Sequence, residues 1–328
     1  AQLLLLGRDL REAALAVVAD HRQVHRLVGV DQLGLHLARG LGALAQAGVH
    51  VLRTLEDSIA LRTDLLAGSQ LVVVGEGVLG TEIAATARSM GLAVTVVGPQ
   101  AVPLQSQLGL QAGGYLASLH TQQGVNLRLG CTVEGLVGAS GRVCGVRLTG
   151  GEVLPADVVV VAIGARPATG WLAGSGLKLG DGIVCDSRCR ASDGIYAVGD
   201  AAWWYHEGLG TGLRLENRTN AVEQGMLVAG NILGKDRPYT PVPFFWTDQF
   251  EDKIQVHGFL PAHAEVAIVE GDPAQRKFVA VYGSHDKVTG VLGWNMMKEA
   301  RQYRQRVVDG AAFSSTVAQV NTPPAVAQ

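Results

Sequence analysis

The sequence has few cysteines, no long apolar run and almost no net charge. Four cysteines among 328 residues exclude a disulfide-dense secreted scaffold and favour a reducing, cytoplasmic location. The longest apolar run, Val158 to Gly164, is far too short to cross a bilayer, so no membrane segment is expected. A net charge of −2 lacks the positive excess that binding to nucleic acid requires.

Two of the cysteines, Cys185 and Cys189, have the spacing of a short redox or metal-binding pair. We interpret them as reduced thiols used as small apolar side chains, since free cysteine packs as a small hydrophobe. The sequence contains no other metal-ligand spacing and no serine–histidine–aspartate constellation. We therefore assign no metal ligand and no catalytic side chain.

The chain is instead rich in glycine and aliphatic residues, with 43 glycines and a hydrophobic fraction of 48%. This fraction is sufficient for a sizeable core. A length of 328 residues predicts two or three domains.

A complete strand–glycine–helix opening follows the apolar segment Leu71–Val74, which predicts a buried parallel strand. The glycines have the spacing Gly-x-Gly-x-x-Gly. This spacing lets the backbone approach a pyrophosphate and lets the helix pack closely on the strand. The predicted dinucleotide-binding residues here are Gly75, Gly77, Leu79 and Gly80.

Two further positions of this unit bear on nucleotide binding. Glu82 either reaches the nicotinamide side of the pocket or is a first-turn carboxylate favoured by the helix dipole. Gly98 ends the second predicted strand, near which an Asp or Glu usually holds the ribose diol of NAD. No Asp or Glu occurs between Glu82 and Glu134, and no arginine replaces it locally. The choice between NADH and NADPH stays open, and the sequence favours NADPH.

A second opening of the same kind, Leu3–Leu6 followed by Gly7, has Asp9 and Glu12 in place of the later glycines. Two unit charges about 4 Å apart at an effective dielectric of about 20 interact with roughly 4 kcal/mol. A pyrophosphate there would be repelled, so this unit is expected to bind a dinucleotide weakly or not at all. Asp31 is either a ribose-binding carboxylate or an ordinary residue at a strand-to-turn junction.

Two motifs, together with the complete glycine opening, indicate a family. They are Ala162–Pro167 (Ala-Ile-Gly-Ala-Arg-Pro) and Ile195–Asp200 (Ile-Tyr-Ala-Val-Gly-Asp). The chain resembles the two-dinucleotide flavoprotein reductases, above all the ferredoxin and rubredoxin reductases that serve Rieske oxygenases and cytochromes P450, and apoptosis-inducing factor. The resemblance runs from Val49 to Ala312. It is supported by the segments 50–57, 182–184, 214–221 and 242–249.

The resemblance implies an α/β fold with two Rossmann-like nucleotide-binding domains, the first truncated, and a C-terminal α+β domain with an antiparallel sheet. The implied boundaries are 1–49 for the shortened first FAD segment, 50–167 for the NAD(P) domain, 168–240 for the second FAD segment and 241–328 for the C-terminal domain. The implied cofactors are NAD(P)H and FAD, and the broken opening at Asp9 and Glu12 makes FAD the less secure of the two.

The resemblance also implies site residues outside the glycine opening. Asp200, beside Gly199, would hydrogen-bond the FAD ribitol, and Glu216 would lie by the flavin's pyrimidine edge. Trp246 would shield the flavin near the nicotinamide. Alternatively, Asp200 caps a helix that starts at Ala201, and Trp246 is a buried anchor between domains. Gly164 is also assigned to the cofactor site.

Two clusters have open interpretations. The aromatic segment Trp203–His206 either fills the place of a lost flavin or forms an exposed partner patch. The basic segment Met297–Arg306 either docks an acidic ferredoxin-type partner or is a solvated helix face. A homodimer is a further expectation.

Two functions remain. The preferred one is an NAD(P)H-dependent flavoprotein reductase that passes a hydride to FAD and then electrons to an iron–sulfur partner. The alternative is a flavin-free descendant that acts as an NAD(P)-binding or pathway-specific non-redox protein. Asp200, Glu216 and Trp246 favour the first, whereas Asp9 and Glu12 favour the second.

Overall fold

The computed structural model describes residues 30–31, 46–261 and 263–320. The broken glycine opening at Asp9 and Glu12 lies outside these residues. The described chain divides into two compact units. Unit 1 comprises residues 30–31, 53–58 and 164–241, and unit 2 comprises residues 46–52, 59–163, 242–261 and 263–320.

The elements follow one another in a mixed α/β order. The strands are β1 Val30–Asp31, β2 Val49–His50, β3 Gln70–Val74, β4 Ala93–Gly98, β5 Asn126–Leu129, β6 Val133–Ala139, β7 Arg142–Leu148, β8 Val153–Pro155, β9 Val158–Val161, β10 Arg166–Pro167, β11 Leu179–Gly180, β12 Gly182–Cys185, β13 Arg190–Ser192, β14 Ile195–Tyr196, β15 Ala202–His206, β16 Thr211–Leu213, β17 Phe244–Gln249, β18 Asp252–Gly258, β19 Glu265–Asp272, β20 Lys277–Ser284 and β21 Lys287–Trp294. The helices are α1 Leu55–Ala67, α2 Val78–Ser89, α3 Gln105–Gln122, α4 Arg218–Ile232, α5 Met297–Val308 and α6 Phe313–Val320.

The nucleotide-type part of unit 2 is built on a parallel sheet of strand order β2-β9-β3-β4-β5. Strands β3 and β9 are aliphatic because both faces of this sheet are covered. On one face, Ile83, Ala84 and Ala87 of α2 join the core with Leu61 and Leu65 of α1. On the other face the sheet shares a core with the antiparallel sheet β6-β7-β8. The predicted Rossmann-like unit is confirmed.

The C-terminal part of unit 2 is a five-stranded antiparallel sheet of order β17-β18-β21-β20-β19. Helices α5 and α6 contribute Ala300 and Phe313 to the core on one face. Helix α3 contributes Leu108 and Leu116 to the core on the other face. The predicted α+β domain with an antiparallel sheet is confirmed, and α5 contains the basic segment Met297–Arg306.

Unit 1 contains a four-stranded sheet of order β11-β12-β15-β16, and Val30–Asp31 pairs with Arg166–Pro167. The interpretation of the aromatic segment as an exposed patch is wrong, because these residues form the regular strand β15. Its role in filling the place of a lost flavin stays a prediction. Along β15, Trp204 and His206 are buried whereas Tyr205 is exposed. Trp204 is fully buried and donates to the Tyr239 carbonyl at 3.1 Å, so it belongs to the core of unit 1.

Candidate functional site

Two of the predicted glycines are required by close backbone packing. Gly75 has φ +120°, and a Cβ on it would lie 2.2 Å from the carbonyl oxygen of Ala162. A Cβ on Gly80 would lie 2.0 Å from the carbonyl oxygen of Gly75. A side chain at Gly80 would therefore separate α2 from the loop that follows β3, and a side chain at Gly75 would separate this loop from the segment that follows β9. This is the close helix–strand approach that the glycine spacing predicts.

Gly77 differs, because a Cβ on it would have no described atom within 4 Å. It is the N-cap residue of α2, with an extended backbone at φ −75° and ψ −175°. The backbone N–H groups of the first helical turn have no intrahelical partners and favour an anion. Leu79, on the same turn, is 38% exposed. The loop thus packs tightly at Gly75 and Gly80 and leaves open space at Gly77, beside a helix N-terminus that favours an anion.

Glu82 belongs to a hydrogen-bond chain within unit 2. The Thr247 hydroxyl donates to Glu82 Oε1 at 2.6 Å. In the described chain, the first turn of α2 contains no acidic residue, so the interpretation of Glu82 as a first-turn carboxylate is wrong. Burial raises the pKa of Glu82, and the hydrogen bonds from Thr247 and from the Asp248 backbone counteract this effect. The contact with nicotinamide stays a prediction.

The series of hydrogen bonds that starts at Glu82 continues into the buried interior of unit 2. Gln249 Nε2 donates to the hydroxyl of Thr247 at 2.8 Å and to that of Thr81 at 2.9 Å. His120 Nε2 lies 2.9 Å from Gln249 Oε1, and burial lowers the pKa of His120. Because the amide oxygen of Gln249 only accepts hydrogen bonds, His120 Nε2 is the donor in this pair. Sequence reasoning missed these residues, since they lie on separate elements and form no local motif.

A carboxylate occupies the end of the second strand, where the sequence predicts none. A Cβ on Gly98 would lie 1.6 Å from Glu76 Oε2. Glu76 is 4% exposed, and its Oε1 accepts from the Gln100 N–H at 3.1 Å. The premise that this position has no carboxylate is therefore wrong, because the acidic residue comes from the glycine loop itself. The sequence signal that could have revealed this carboxylate is Glu76, which stands between Gly75 and Gly77.

Unit 1 positions the residues assigned to the flavin. Gly164 and Gly199 have φ +106° and +72°, a region that favours glycine. The Gly199 N–H donates to Gln224 Oε1 at 2.7 Å. Asp200 lies in the short 3-10 helix Gly199–Ala201, which leads directly into strand β15. The alternative interpretation of Asp200 as the cap of a helix starting at Ala201 is therefore wrong.

Glu216 is part of an ion-pair group that sequence reasoning missed. Its carboxylate pairs with Arg214, whose Nε lies 3.1 Å from Asp181 Oδ2. Arg214 Nη1 also donates to the carbonyl oxygen of Asp200 at 3.3 Å. The Arg214 side chain is only 12% exposed, and its single positive charge is shared between the carboxylates of Asp181 and Glu216.

Trp246 lies on β17, next to Thr247. Its indole is 37% exposed and stacks on Phe244, with ring centroids 5.6 Å apart and an interplanar angle of 26°. The alternative interpretation of Trp246 as a buried anchor is therefore wrong. An exposed aromatic face of this kind is able to stack on a planar ligand.

The basic helix α5 presents Lys298, Arg301 and Arg304 to solvent. Beneath it, His257 is buried and stacks on Phe244 at a centroid distance of 4.8 Å. Burial, followed by the positive charges of Arg304 and Arg301, lowers the pKa of His257 to about 4. Uncharged His257 therefore adds nothing to the positive charge of the helix at neutral pH.

Cys185 and Cys189 are free, buried thiols in the core of unit 1. Burial raises the pKa of each to about 12. Across the described ranges, no three His, Cys, Asp or Glu residues are grouped in a way that would hold a metal ion. Among the helices of those same ranges, none has the length and apolar character needed to span a membrane.

Comparison with known proteins identifies two domains. The pyridine nucleotide-disulphide oxidoreductase family matches residues 29–225, and the reductase C-terminal family matches residues 244–323. Rhodocoxin reductase from Rhodococcus erythropolis is 40% identical over 225 residues, which cover 68% of this chain and 52% of that protein. This chain therefore spans about half the length of that relative.

Other relatives are covered more fully. The ferredoxin–NAD(+) reductase component of the anthranilate 1,2-dioxygenase system from Burkholderia cepacia is 34% identical, with 83% of this chain and 68% of that protein covered. The crystal structure of the covalent putidaredoxin reductase–putidaredoxin complex aligns with a TM-score of 0.80 at 30% identity, covering 89% of this chain and 72% of that chain. These matches confirm the resemblance drawn from the sequence motifs. The chain belongs to the pyridine nucleotide-disulphide oxidoreductase family and carries a reductase C-terminal domain.

Proposed function

We propose that this chain acts as an NAD(P)H-dependent flavoprotein oxidoreductase that delivers electrons to an iron–sulfur protein. The observation that carries the proposal is the glycine loop of unit 2. Gly75 and Gly80 pack without room for a side chain, whereas Gly77 faces open space at the N-terminus of α2. The names of the ferredoxin reductase relatives support the direction of electron flow.

NAD(P)H would be held by the residues of this loop. The backbone at Gly77 permits close approach of the pyrophosphate, and the N–H groups of the first turn of α2 would donate to it. Glu82 is fixed by Thr247 and would orient the nicotinamide end. The nicotinamide supplies the hydride, so the task of these side chains is binding and orientation.

FAD would be held in part by Gly199, Asp200 and Glu216 of unit 1. In unit 2, the exposed indole of Trp246 would stack on a planar ring. The flavin supplies the conversion of a hydride into single electrons. Asp200 stands on a short turn at the end of a loop, as a ribitol-binding carboxylate should. Glu216 is engaged by Arg214, so the pair rather than a free carboxylate would meet the flavin. This arrangement fits a flavin that is bound loosely.

The electron acceptor would be an acidic ferredoxin-type protein that docks on the basic face of α5. Lys298, Arg301 and Arg304 are exposed on this helix, and such a face accelerates encounter with an acidic partner. We also propose a cytoplasmic location, a homodimer, and the domain boundaries 1–49, 50–167, 168–240 and 241–328.

The alternative is a flavin-free descendant that keeps the NAD(P) pocket and has no redox activity. The observation that favours it is the ion pair of Glu216 with Arg214, which leaves less of the flavin site free to recognise a ligand. The two functions differ in whether the purified protein binds flavin.

The test is the visible spectrum of the purified protein before and after dialysis, and again after FAD is added. The proposal expects an absorption band at about 450 nm from flavin bound at less than one equivalent per chain. The band should decline on dialysis and return when FAD is added. With FAD present, NAD(P)H should reduce an added acidic iron–sulfur ferredoxin. Failure to take up any FAD would establish the flavin-free alternative. One FAD per chain that survives dialysis would show that binding is tight and that the expectation of a weak site is wrong.

A further inference from the structure

We infer that Glu76 is the residue that selects NADH over NADPH, by placing its carboxylate where the ribose diol of the adenosine binds. This inference rests on the proposed nucleotide-binding function of the glycine loop. It assigns a specificity role to the variable position of the Gly-x-Gly motif, and it reverses the preference for NADPH favoured by the sequence.

The position follows from the strand pairing. Strands β3 and β4 are parallel neighbours, with Val74 beside Val97, so the loop after β3 and the residue after Val97 meet at one sheet edge. In dinucleotide-binding units, a carboxylate about 20 residues beyond the glycine loop holds the ribose 2′-hydroxyl. Gly98 stands at that place and has no side chain. The Glu76 carboxylate fills the space, with Oε2 1.6 Å from the point that a Gly98 Cβ would occupy.

The carboxylate is held firmly in this place. Glu76 is 4% exposed, and the Gln100 N–H donates to its Oε1 at 3.1 Å. The backbone of Glu76 is also fixed, because its carbonyl accepts from the Leu104 N–H at 3.0 Å. A fixed carboxylate is able to discriminate, since it accepts hydrogen bonds from a ribose diol and repels a phosphate ester at the same atom.

The other charges near Gly98 do not reverse the preference of the Glu76 carboxylate for NADH over NADPH. Arg128, on the neighbouring strand β5, pairs with Glu152. Both residues, together with Glu76, act on the pKa of Cys131, so all three charges influence the same side chain. With Arg128 neutralised by Glu152, the carboxylate of Glu76 is the remaining charge of the group. A 2′-phosphate of about −2 charge would be repelled from it.

The competing explanation is that Glu76 only fills space beside Gly98. The two explanations differ in what glutamine does at position 76. Glutamine has nearly the same shape, keeps an acceptor for the Gln100 N–H and removes only the charge. A space-filling role predicts no change in nucleotide preference.

The experiment measures the affinities of NADH and NADPH by calorimetry for the wild-type chain and for Glu76→Gln. We expect the wild-type chain to bind NADH at least about tenfold more tightly than NADPH, because a hydrogen bond to a charged group is worth about tenfold or more. Glu76→Gln should weaken NADH by about tenfold and tighten NADPH. Glu134→Gln, which removes an exposed carboxylate from β6, is the charge-matched control and should change neither affinity.

A double exchange, Glu76→Gly with Gly98→Glu, tests the position independently. This exchange places the carboxylate on residue 98, at the end of β4, where dinucleotide-binding units usually have it. The double variant should therefore keep the preference for NADH, and it provides a test even if Glu76→Gln fails to fold. Equal or tighter NADPH binding by the wild-type chain, or an unchanged NADH to NADPH ratio in Glu76→Gln, would overturn the inference. Failure of the wild-type chain to bind either nucleotide would instead overturn the proposed function.

Discussion

The glycine loop of unit 2 and the Asp200–Glu216 region of unit 1 are both assigned to dinucleotide binding, and the two regions differ in how complete they are. In unit 2 the glycine loop leaves open space at Gly77. The polar side chains of Glu82, Thr247 and Gln249 hydrogen-bond to one another. In unit 1 the carboxylate of Glu216 is already paired with Arg214. The comparison teaches that a ligand site depends as much on what is left unfilled as on which motif residues are present.

The largest effect should come from Gly80→Val. A Cβ at this position would lie 2.0 Å from the Gly75 carbonyl oxygen, so α2 must move away from β3. We expect a loss of about 3 kcal/mol or more in the free energy of unfolding, measured by urea denaturation. Gly77→Ala, one turn earlier in the same loop, is the control and should leave stability within about 0.5 kcal/mol of wild type. Equal stability of the two variants would contradict the packing described for this loop.

Gly77→Val should act on binding rather than on folding. The side chain enters the space assigned to the pyrophosphate, while the backbone at φ −75° accepts a β-branched residue without strain. Calorimetry should detect no NADH or NADPH binding to a protein that melts like wild type. A folded variant with unchanged affinity would show that the open space is not the nucleotide site.

Thr247→Val should weaken unit 2 by an intermediate amount. It removes the hydroxyl that donates to Glu82 and accepts from Gln249, leaving two buried polar groups without this partner. We expect a loss of about 1–3 kcal/mol, and a smaller loss for Thr247→Ser, which keeps the hydroxyl. Equal losses for the two variants would exclude the hydrogen bond as the cause.

The same variant should alter the pH dependence of stability. The folded-state pKa of Glu82 is already raised by burial, so stability from this group is present below the unfolded-state value near 4.5 and is lost as pH rises through the folded value. Removing the Thr247 donor raises this pKa further. The decline should therefore extend to higher pH in Thr247→Val, as measured by urea midpoints at stepped pH.

The smallest effect should come from replacing Cys185 and Cys189 by alanine. Both thiols are buried with a pKa of about 12, so neither forms a thiolate at neutral pH. Nucleotide affinity of the double variant should stay within about a few-fold of wild type, because unit 1 uses these residues only for packing. In native protein a thiol reagent should label the exposed Cys144 first. Rapid labelling of Cys185 or loss of turnover in the double variant would restore the redox-pair interpretation.

Local patterns predicted the elements that carry strong periodicity. The apolar strands, the glycine loop and helix α5 were predictable because each depends on residues close in sequence. Helix α3 was not predicted, since Gly109, Gly113 and Gly114 oppose a helix and Gly109 does interrupt it at φ 76°. Packing of Leu108 and Leu116 against the C-terminal sheet overrides that preference.

The candidate site was predicted where the motif is contiguous and missed where contacts cross the fold. Gly75, Gly77 and Gly80 follow from spacing alone. Glu76 was missed because a ribose carboxylate is sought after the second strand, and only the folded backbone brings residue 76 to Gly98. Arg214 and Gln249 were missed for the same reason, since their partners lie on other elements.

Each unit carries its own buried indole, and this gives the protein two internal fluorescent reporters. Trp204 in unit 1 donates to the Tyr239 carbonyl at 3.1 Å, and Trp294 in unit 2 donates to Asp252 Oδ2 at 3.0 Å. Both are fully shielded from solvent, so their emission shifts to longer wavelength only when the surrounding core opens. Variants that keep one of these two indoles in a background without the other tryptophans would follow the opening of each unit separately, and would show whether the units lose structure in one step or in two.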